Sequence, residues 1–294
     1  MTPLLSIVTI TYNHEPFIAK TIEGVLMQQV KFPIELIIAE DCSTDGTRAI
    51  CQQYAEQYPD LIRLITSESN VGAVANERRA ILAARGKYIA FCEGDDYWTD
   101  PLKLQKQVDF LESHPDYSVT FHRCKHHNIS NNTTEDDRCG FLFKNNELGV
   151  EVSIKMFFEN WITQPLSMVF RVHNFDPNLS FQYKYYRDQH QIYHLLKSGK
   201  GYLFGFYGGV RTRQSSGVFS TLTTKKKSKL AYKIAEELYI YNSDDNDVSK
   251  YYESNLRWLI SETTIIENIP YMWKLLIKDH NIKFFVKNLI KISR

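Results

Sequence analysis

The strongest constraint on this chain is a strand–helix alternation that fills its first third. "SIVTIT" (Ser6–Thr11) is rich in β-formers, and Tyr12-Asn13-His14 turns the chain. Pro16 suits the first turn of a helix to about Gln29, with Phe17, Ile18, Ile22, Val25 and Leu26 on one face. "ELIIAE" (Glu35–Glu40) is apolar nearly throughout, as in a strand buried on both faces of a parallel sheet. Asp41-Cys42-Ser43-Thr44-Asp45-Gly46 then leads into a helix carrying Ala49, Ile50 and Tyr54. "LIRLIT" (Leu61–Thr66) is a third strand; Asn70-Val71-Gly72 opens a helix through about Ala84, and Gly86 stops it before a strand over Tyr88–Cys92. Asp100 is a good N-cap and Pro101 a good first helical residue, followed by Leu104, Val108 and Leu111 at helical spacing. Repeated units of this kind predict a parallel, right-handed α/β layer, a mostly parallel sheet flanked by helices. Ligands in such sheets bind at the carboxyl ends of strands, where Asp41 and Glu93–Asp96 fall.

Glu93, Asp95 and Asp96 crowd one turn directly behind the fourth strand. Carboxylates so close repel unless a cation binds them, and hard oxygen ligands beside a phosphate-bearing substrate suit Mg²⁺ or Mn²⁺. Helix capping needs one acid, and Asp100 already serves. No G-x-x-x-x-G-K-[ST] loop exists, and Thr11-Tyr12-Asn13 stands where a dinucleotide fingerprint would need glycines. The net charge of +1 gives no global attraction to nucleic acid. Five cysteines without a C-x-x-C pair speak against a disulfide framework or a zinc site and suit a reducing compartment. The N-terminus has no basic region before its apolar residues, and no uncharged apolar run is long enough to span a bilayer. The expectation is a cytoplasmic protein, at most peripheral on the inner face of the cytoplasmic membrane.

"SIVTITYNHEPFIAKTIEGVLMQQ", "ELIIAEDCSTDGT", "NVGAVANERRAILAARGKYIAFCEGDDYW" and "DPLKLQKQVDFL" together resemble the nucleotide-sugar-binding half of a family 2 glycosyltransferase of GT-A fold. The likeness runs nearly continuously from Leu5 to about Leu111. It implies that Thr11, Tyr12 and Asp41 hold the nucleotide base, with Asn13 on the same turn among the donor-binding residues. It places Glu93-Gly94-Asp95 at the family's D-x-D metal motif, with Asp95 and Asp96 as metal ligands, or Glu93 assisting. Glu93 replaces the usual first Asp of that motif. The family's Ala-Arg-Asn reads Ala75-Asn76-Glu77-Arg78-Arg79, leaving Arg78 and Arg79 as alternatives for a donor contact. Independently of the family, a buried carboxylate at Asp41 could accept the imide N–H of uracil or thymine, and Tyr12 could stack on the ring.

The second half should hold the acceptor and the base. Cys124 to Asn146 reads as a polar, irregular loop, in which His126 and His127, like His122 just before it, lack the carboxylate spacing of a metal site. "QPLSMVFR" (Gln164–Arg171) is a strand, and a helix and strand follow over "YYRDQHQIYHLLKSGKGYLF". Asp188, Ile192 and Leu195 share one helical face, so Asp188 points inward from the first turn, a suitable setting for a general base. The resemblance implies the same role, although the family's acidic pair reads Arg187-Asp188 here. "GGVRTRQSSGVFS" is similar to the family's Arg-x-His turn, and Arg211 and Arg213 are both candidates for the diphosphate.

The domain expectation is a GT-A catalytic domain over residues 1–220, with a nucleotide-sugar half at 1–123 and an acceptor half at 124–220, and a helical extension at 221–294. The last segment, with Lys274, Lys278, Lys283, Lys287, Lys291 and Arg294 among apolar residues, either packs as a helix or lies on an anionic membrane. The implied activity is metal-dependent, inverting transfer of one sugar from a nucleotide-diphosphate sugar, by preference a UDP-sugar. The acceptor would be a hydroxyl of a cell-surface glycan or lipid-linked oligosaccharide. The alternatives are a non-catalytic nucleotide-sugar-binding module of the same fold, which could dispense with Asp188, and a sugar-nucleotide pyrophosphorylase, which would need a glycine-rich N-terminal loop.

Overall fold

The structure, a computed structural model, describes residues 2–143, 148–160, 162–214, 221–264, 267 and 269–274. The chain divides into two compact units, the first comprising Met1–Gln182 with Tyr186–Gln214 and the second Tyr183–Tyr185 with Ser215–Arg294.

In the first unit, β1 (Leu5–Thr11), β2 (Ile34–Glu40), β3 (Ile62–Thr66) and β4 (Tyr88–Phe91) run parallel in the order β3-β2-β1-β4. They are linked by α1 (Ile18–Leu26), α2 (Thr47–Gln57) and α3 (Ala73–Ala83). Leu5, Ile7, Leu36, Ile38, Tyr88 and Ala90 join a core with Ile18, Ile22 and Val25 of α1. Burial, not capping, fixes α1: Phe17 gives no side-chain cap. A cap contributes about 1 kcal/mol, whereas each buried Ile or Val contributes about 1.5–3 kcal/mol.

Beyond β4 come β5 (Tyr97–Trp98), α4 (Lys103–Ser113), β6 (Tyr117–Asn128), β7 (Thr133–Asp136), β8 (Gly149–Val152), α5 (Ile154–Asn160), β9 (Val169–Arg171), α6 (Leu179–Gln182), α7 (Asp188–Ser198) and β10 (Lys200–Arg213). The sheet continues from β4 as β9-β6-β10-β5. β9 pairs antiparallel with both β4 and β6, so the sheet is mixed rather than parallel throughout. Two expectations need correction. Cys124–Asn128 is not loop but the end of β6, which pairs with β10 along its whole length and with β7 as a hairpin. Gln164–Arg171 is a strand only from Val169, after a short 3-10 turn at Pro165–Ser167.

The second unit contains α8 (Thr224–Tyr241) and α9 (Asn246–Glu262), which share a core of Tyr232, Ala235, Tyr252, Leu256, Leu259, Ile260 and Met272. The Glu237 carboxylate accepts from the backbone N–H groups of Lys184 and Tyr185 at 3.0 and 2.8 Å. Of the basic terminal stretch, Lys274 pairs with Glu236 at 2.5 Å, and residues 275–294 lie outside the described residues. Among the described residues no helix is long and apolar enough to cross a membrane.

Candidate active site

The carboxyl ends of β1, β2 and β4 bring three polar turns together. After β1, Asn13 adopts a left-handed conformation (φ 54°). Its Oδ1 accepts from Thr44 N at 2.8 Å and its own N–H donates to Ser43 Oγ at 3.0 Å, so it ties the first turn to the second. Tyr12 leaves its ring 39% exposed beside the buried Thr11. Asp41 is buried at the end of β2 and organises the approach to α3. Its Oδ1 accepts from Ser67 Oγ (3.0 Å) and Val71 N (2.9 Å), and its Oδ2 accepts from Gly72 N (2.9 Å). A carboxylate offers about four acceptor positions, which leaves one on Oδ2.

The third turn carries the acids. Asp96 is buried, and its Oδ1 accepts from Thr212 N of β10 at 2.8 Å. That hydrogen bond pins the turn to β10 through Oδ1. Asp95 is half-buried, with Oδ2 accepting from Gln214 Nε2 at 3.2 Å. Gly94 between the acids matters for space: a methyl there would meet Thr11 Oγ1 at 2.7 Å and His14 Nδ1 at 2.8 Å.

The charges form one group. Enclosure by protein, then Asp95 and Asp188, push Glu93 up to about 7, against the pull of Arg211. Enclosure also raises Asp188, with Arg211 and Arg187 opposing it. Glu77 of α3 is pushed up to about 8 by enclosure and then by Glu93 and Asp188. Sequence reasoning passed over Glu77, because its two acidic neighbours come from the turn after β4 and from α7. Among the described residues no ion pair reaches Asp188; its Oδ1 accepts only a local contact from Gln189 N at 3.2 Å.

The four candidate arginines have different protein partners. Arg79 donates to Thr66 O (3.0 Å) and Asn76 Oδ1 (2.6 Å), and Arg78 donates to Asn178 Oδ1 (3.2 Å) with its guanidinium over Phe181. These contacts tie α3 to β3 and to the segment around α6. On β10, the Arg211 charge opposes the upward shifts of Glu93, Asp96 and Asp188, whereas the exposed Arg213 lies 3.7 Å from Glu135. His122 and His126 are strand residues of β6, buried to 1% and 7% exposure.

The model of the family described as glycosyl transferase family 2 matches residues 6–176. The chain belongs to glycosyl transferase family 2. An uncharacterized protein of Mycobacterium tuberculosis is 52% identical over 118 residues, 40% of this chain and 34% of that protein. The putative teichuronic acid biosynthesis glycosyltransferase TuaG of Bacillus subtilis is 42% identical over 109 residues, 37% of this chain and 42% of that one. The chain thus spans less than half the length of these relatives. Among solved structures, S. aureus TarS 1-349 in complex with UDP-GlcNAc superposes with a TM-score of 0.60 at 20% identity, covering 88% of this chain and 71% of that 1-349 chain. That likeness carries the GT-A fold.

Proposed function

We propose that this family 2 chain moves one sugar from a nucleotide-diphosphate sugar to an acceptor hydroxyl, with inversion at the anomeric carbon. What supports the reading is that Asp188, Glu93 and Arg211 lie close enough to act on one another's charge, beyond the carboxyl ends of the strands. Asp188 is an enclosed carboxylate without an ion-pair partner among the described residues, held above its ordinary pKa by enclosure. A base whose pKa rises toward the working pH takes a proton more effectively in the transition state. Asp188 therefore removes the acceptor proton as the anomeric carbon is attacked from the face opposite the diphosphate. Arg211 presents a guanidinium to the diphosphate oxygens, which it can bind bidentately.

On the donor side, the Tyr12 ring is exposed for stacking, and the open position on Asp41 Oδ2 can accept an imide N–H, which favours a uracil base. The TarS complex with UDP-GlcNAc supports a UDP-sugar. The name of TuaG supports a cell-surface polymer or its lipid-linked precursor as acceptor. A divalent cation fits the acidic turn in one specific way. Among the described residues no group of three or more His, Cys, Asp and Glu is arranged to hold a metal alone. Mg²⁺ and Mn²⁺ commonly use one or two carboxylates and complete their shell with substrate phosphates and water. Asp95, with Glu93 beside it, would hold the ion, and Asp96 would set the turn. When bound, it neutralises charge developing on the diphosphate.

The reading is tested by screening nucleotide sugars for binding with Mn²⁺ and then analysing the product made from the best donor. Metal-dependent binding of one donor and an inverted glycosidic product are expected. A chain that binds no nucleotide sugar under these conditions, or turns one over with retention, would overturn it.

A further inference from the structure

Helix α4 packs on β6 through a seam that is polar where a core is normally apolar. From α4 come Lys103 and Gln107, one helical turn apart; from β6 come Thr120 and His122, two residues apart on one strand face. All four are buried, His122 at 1% exposure and the others at 0%. Gln107 Nε2 fastens the two faces, donating to Thr120 Oγ1 at 3.2 Å and to Ser167 O at 2.9 Å. Three other buried atoms, Lys103 Nζ, Gln107 Oε1 and His122 Nε2, make no well-aligned hydrogen bond to protein, although the Leu166 backbone also lies near the His122 ring. Buried polar groups in native proteins are almost always hydrogen-bonded, to protein or to ordered water.

The three atoms are complementary. His122 Nδ1 lies 2.8 Å from the Arg123 carbonyl, which only accepts, so Nδ1 carries the hydrogen. Burial and then the Lys103 charge keep the ring neutral, so Nε2 is an acceptor. One donor and two acceptors remain. A single water within reach of all three would satisfy them by accepting from Lys103 and donating to His122 and Gln107, the usual three bonds of a buried water.

The amine also touches the functional turn. Lys103 Nζ lies 3.5 Å from the centroid of the Trp98 ring. Burial draws this lysine down to about 7, and the ring face favours its charged form. Trp98 in turn donates from Nε1 to Leu166 O at 2.8 Å and pairs with Gly209 of β10, just past the acidic turn.

We propose that Lys103 is a positioning residue for the acidic turn: its ammonium, completed by an internal water shared with His122 and Gln107, clamps Trp98 and so fixes where Asp95 meets the donor. The inference rests on the glycosyl-transfer reading above. Lys103→Met keeps the side-chain length and its packing on the ring but removes the charge, and Lys103→Arg keeps the charge. Replacing a desolvated ion by an apolar group of similar volume is often neutral or stabilising, so Lys103→Met should melt at or above the wild-type temperature. It should nevertheless bind UDP with Mn²⁺ roughly tenfold or more weakly, since small misplacements of site groups have effects of that size. Lys103→Arg should recover most of the loss. Wild-type UDP affinity in folded Lys103→Met would overturn the inference and leave the transferase reading standing. A wild-type chain that binds no nucleotide would overturn both. Should Lys103→Met not fold, a crystal structure of the wild type decides: a water within hydrogen-bond reach of all three atoms is expected, and a dry seam sinks the proposal.

Discussion

Asp188 and Glu77 are both carboxylates lifted by enclosure, yet they call for different tests. Asp188 acts on the acceptor proton and touches the donor little. Asp188→Asn should therefore lower kcat by roughly 10²–10⁴-fold, with UDP affinity in Mn²⁺ and the melting temperature near wild type. Unchanged turnover in a folded variant would reduce Asp188 to a first-turn helix residue. Glu77 shows itself through pH. Folded, its carboxyl keeps a proton up to about 8, whereas the unfolded chain loses it near 4.5. Between those values the folded state binds the extra proton, so this group's contribution to stability falls as pH rises from about 4.5 to about 8. Glu77→Gln has no such titration. Without metal or donor, its melting temperature relative to wild type should climb between roughly pH 5 and 8 and flatten above, by that linkage. A difference that stays constant across the range would mean that Glu77 is ionised throughout, its neighbours notwithstanding.

At the scale of elements, legibility followed the hydrophobic pattern. β1 to β4 are nearly continuous apolar runs and could be read directly, as could the polar turns at their carboxyl ends. The end of β6 could not: from Cys124 on it is polar, with His126 buried beside the exposed Lys125, so it resembles a solvated loop although β10 pairs with it. The different settings of Arg211 and Arg213 were not legible in sequence: Asp96 takes the Thr212 N–H between them, and the Arg213–Glu135 pair comes from β7 across the sheet. Gly24 hides a similar constraint. It sits mid-helix, where glycine is ordinarily a weakness, but a Cβ there would meet the Trp98 backbone N at 2.9 Å and O at 3.1 Å. Backbone cannot swing aside, so α1 would have to move off β5. Overpacking of this kind typically costs about 1–3 kcal/mol, so Gly24→Ala should lower the melting temperature. Because β5 directly follows the acidic turn, UDP affinity in Mn²⁺ should fall as well. An alanine variant as stable as wild type would show that the helix yields freely.

For the molecule as a whole, the proposed site predicts how stability responds to ligands. Asp95, Glu93, Glu77 and Asp188 put like charges together with Arg211 as their principal counter-charge, an arrangement that a cation with its diphosphate should relieve. A ligand that binds only the folded state stabilises it by RT ln(1 + [L]/Kd), about 2.7 kcal/mol at a hundredfold excess over Kd. For a chain of this size that is a rise of several degrees in melting temperature, at roughly 2–4 °C per kcal/mol. The response should be ordered. UDP with Mn²⁺ should raise the melting temperature most, and UDP in EDTA should do much less, since the diphosphate then meets the acids without the ion. CDP and GDP with Mn²⁺ should fall between, as neither base presents the uracil imide to Asp41 in the same way. Asp95→Asn should remove the Mn²⁺-dependent part of the shift while leaving the unliganded melting temperature nearly unchanged, because Asp95, unlike Asp96, holds no backbone group in place. An equal rise with UDP in EDTA, or a full Mn²⁺ effect in Asp95→Asn, would remove Asp95 from the metal's shell and send the search for a ligand to Glu93 and Glu77.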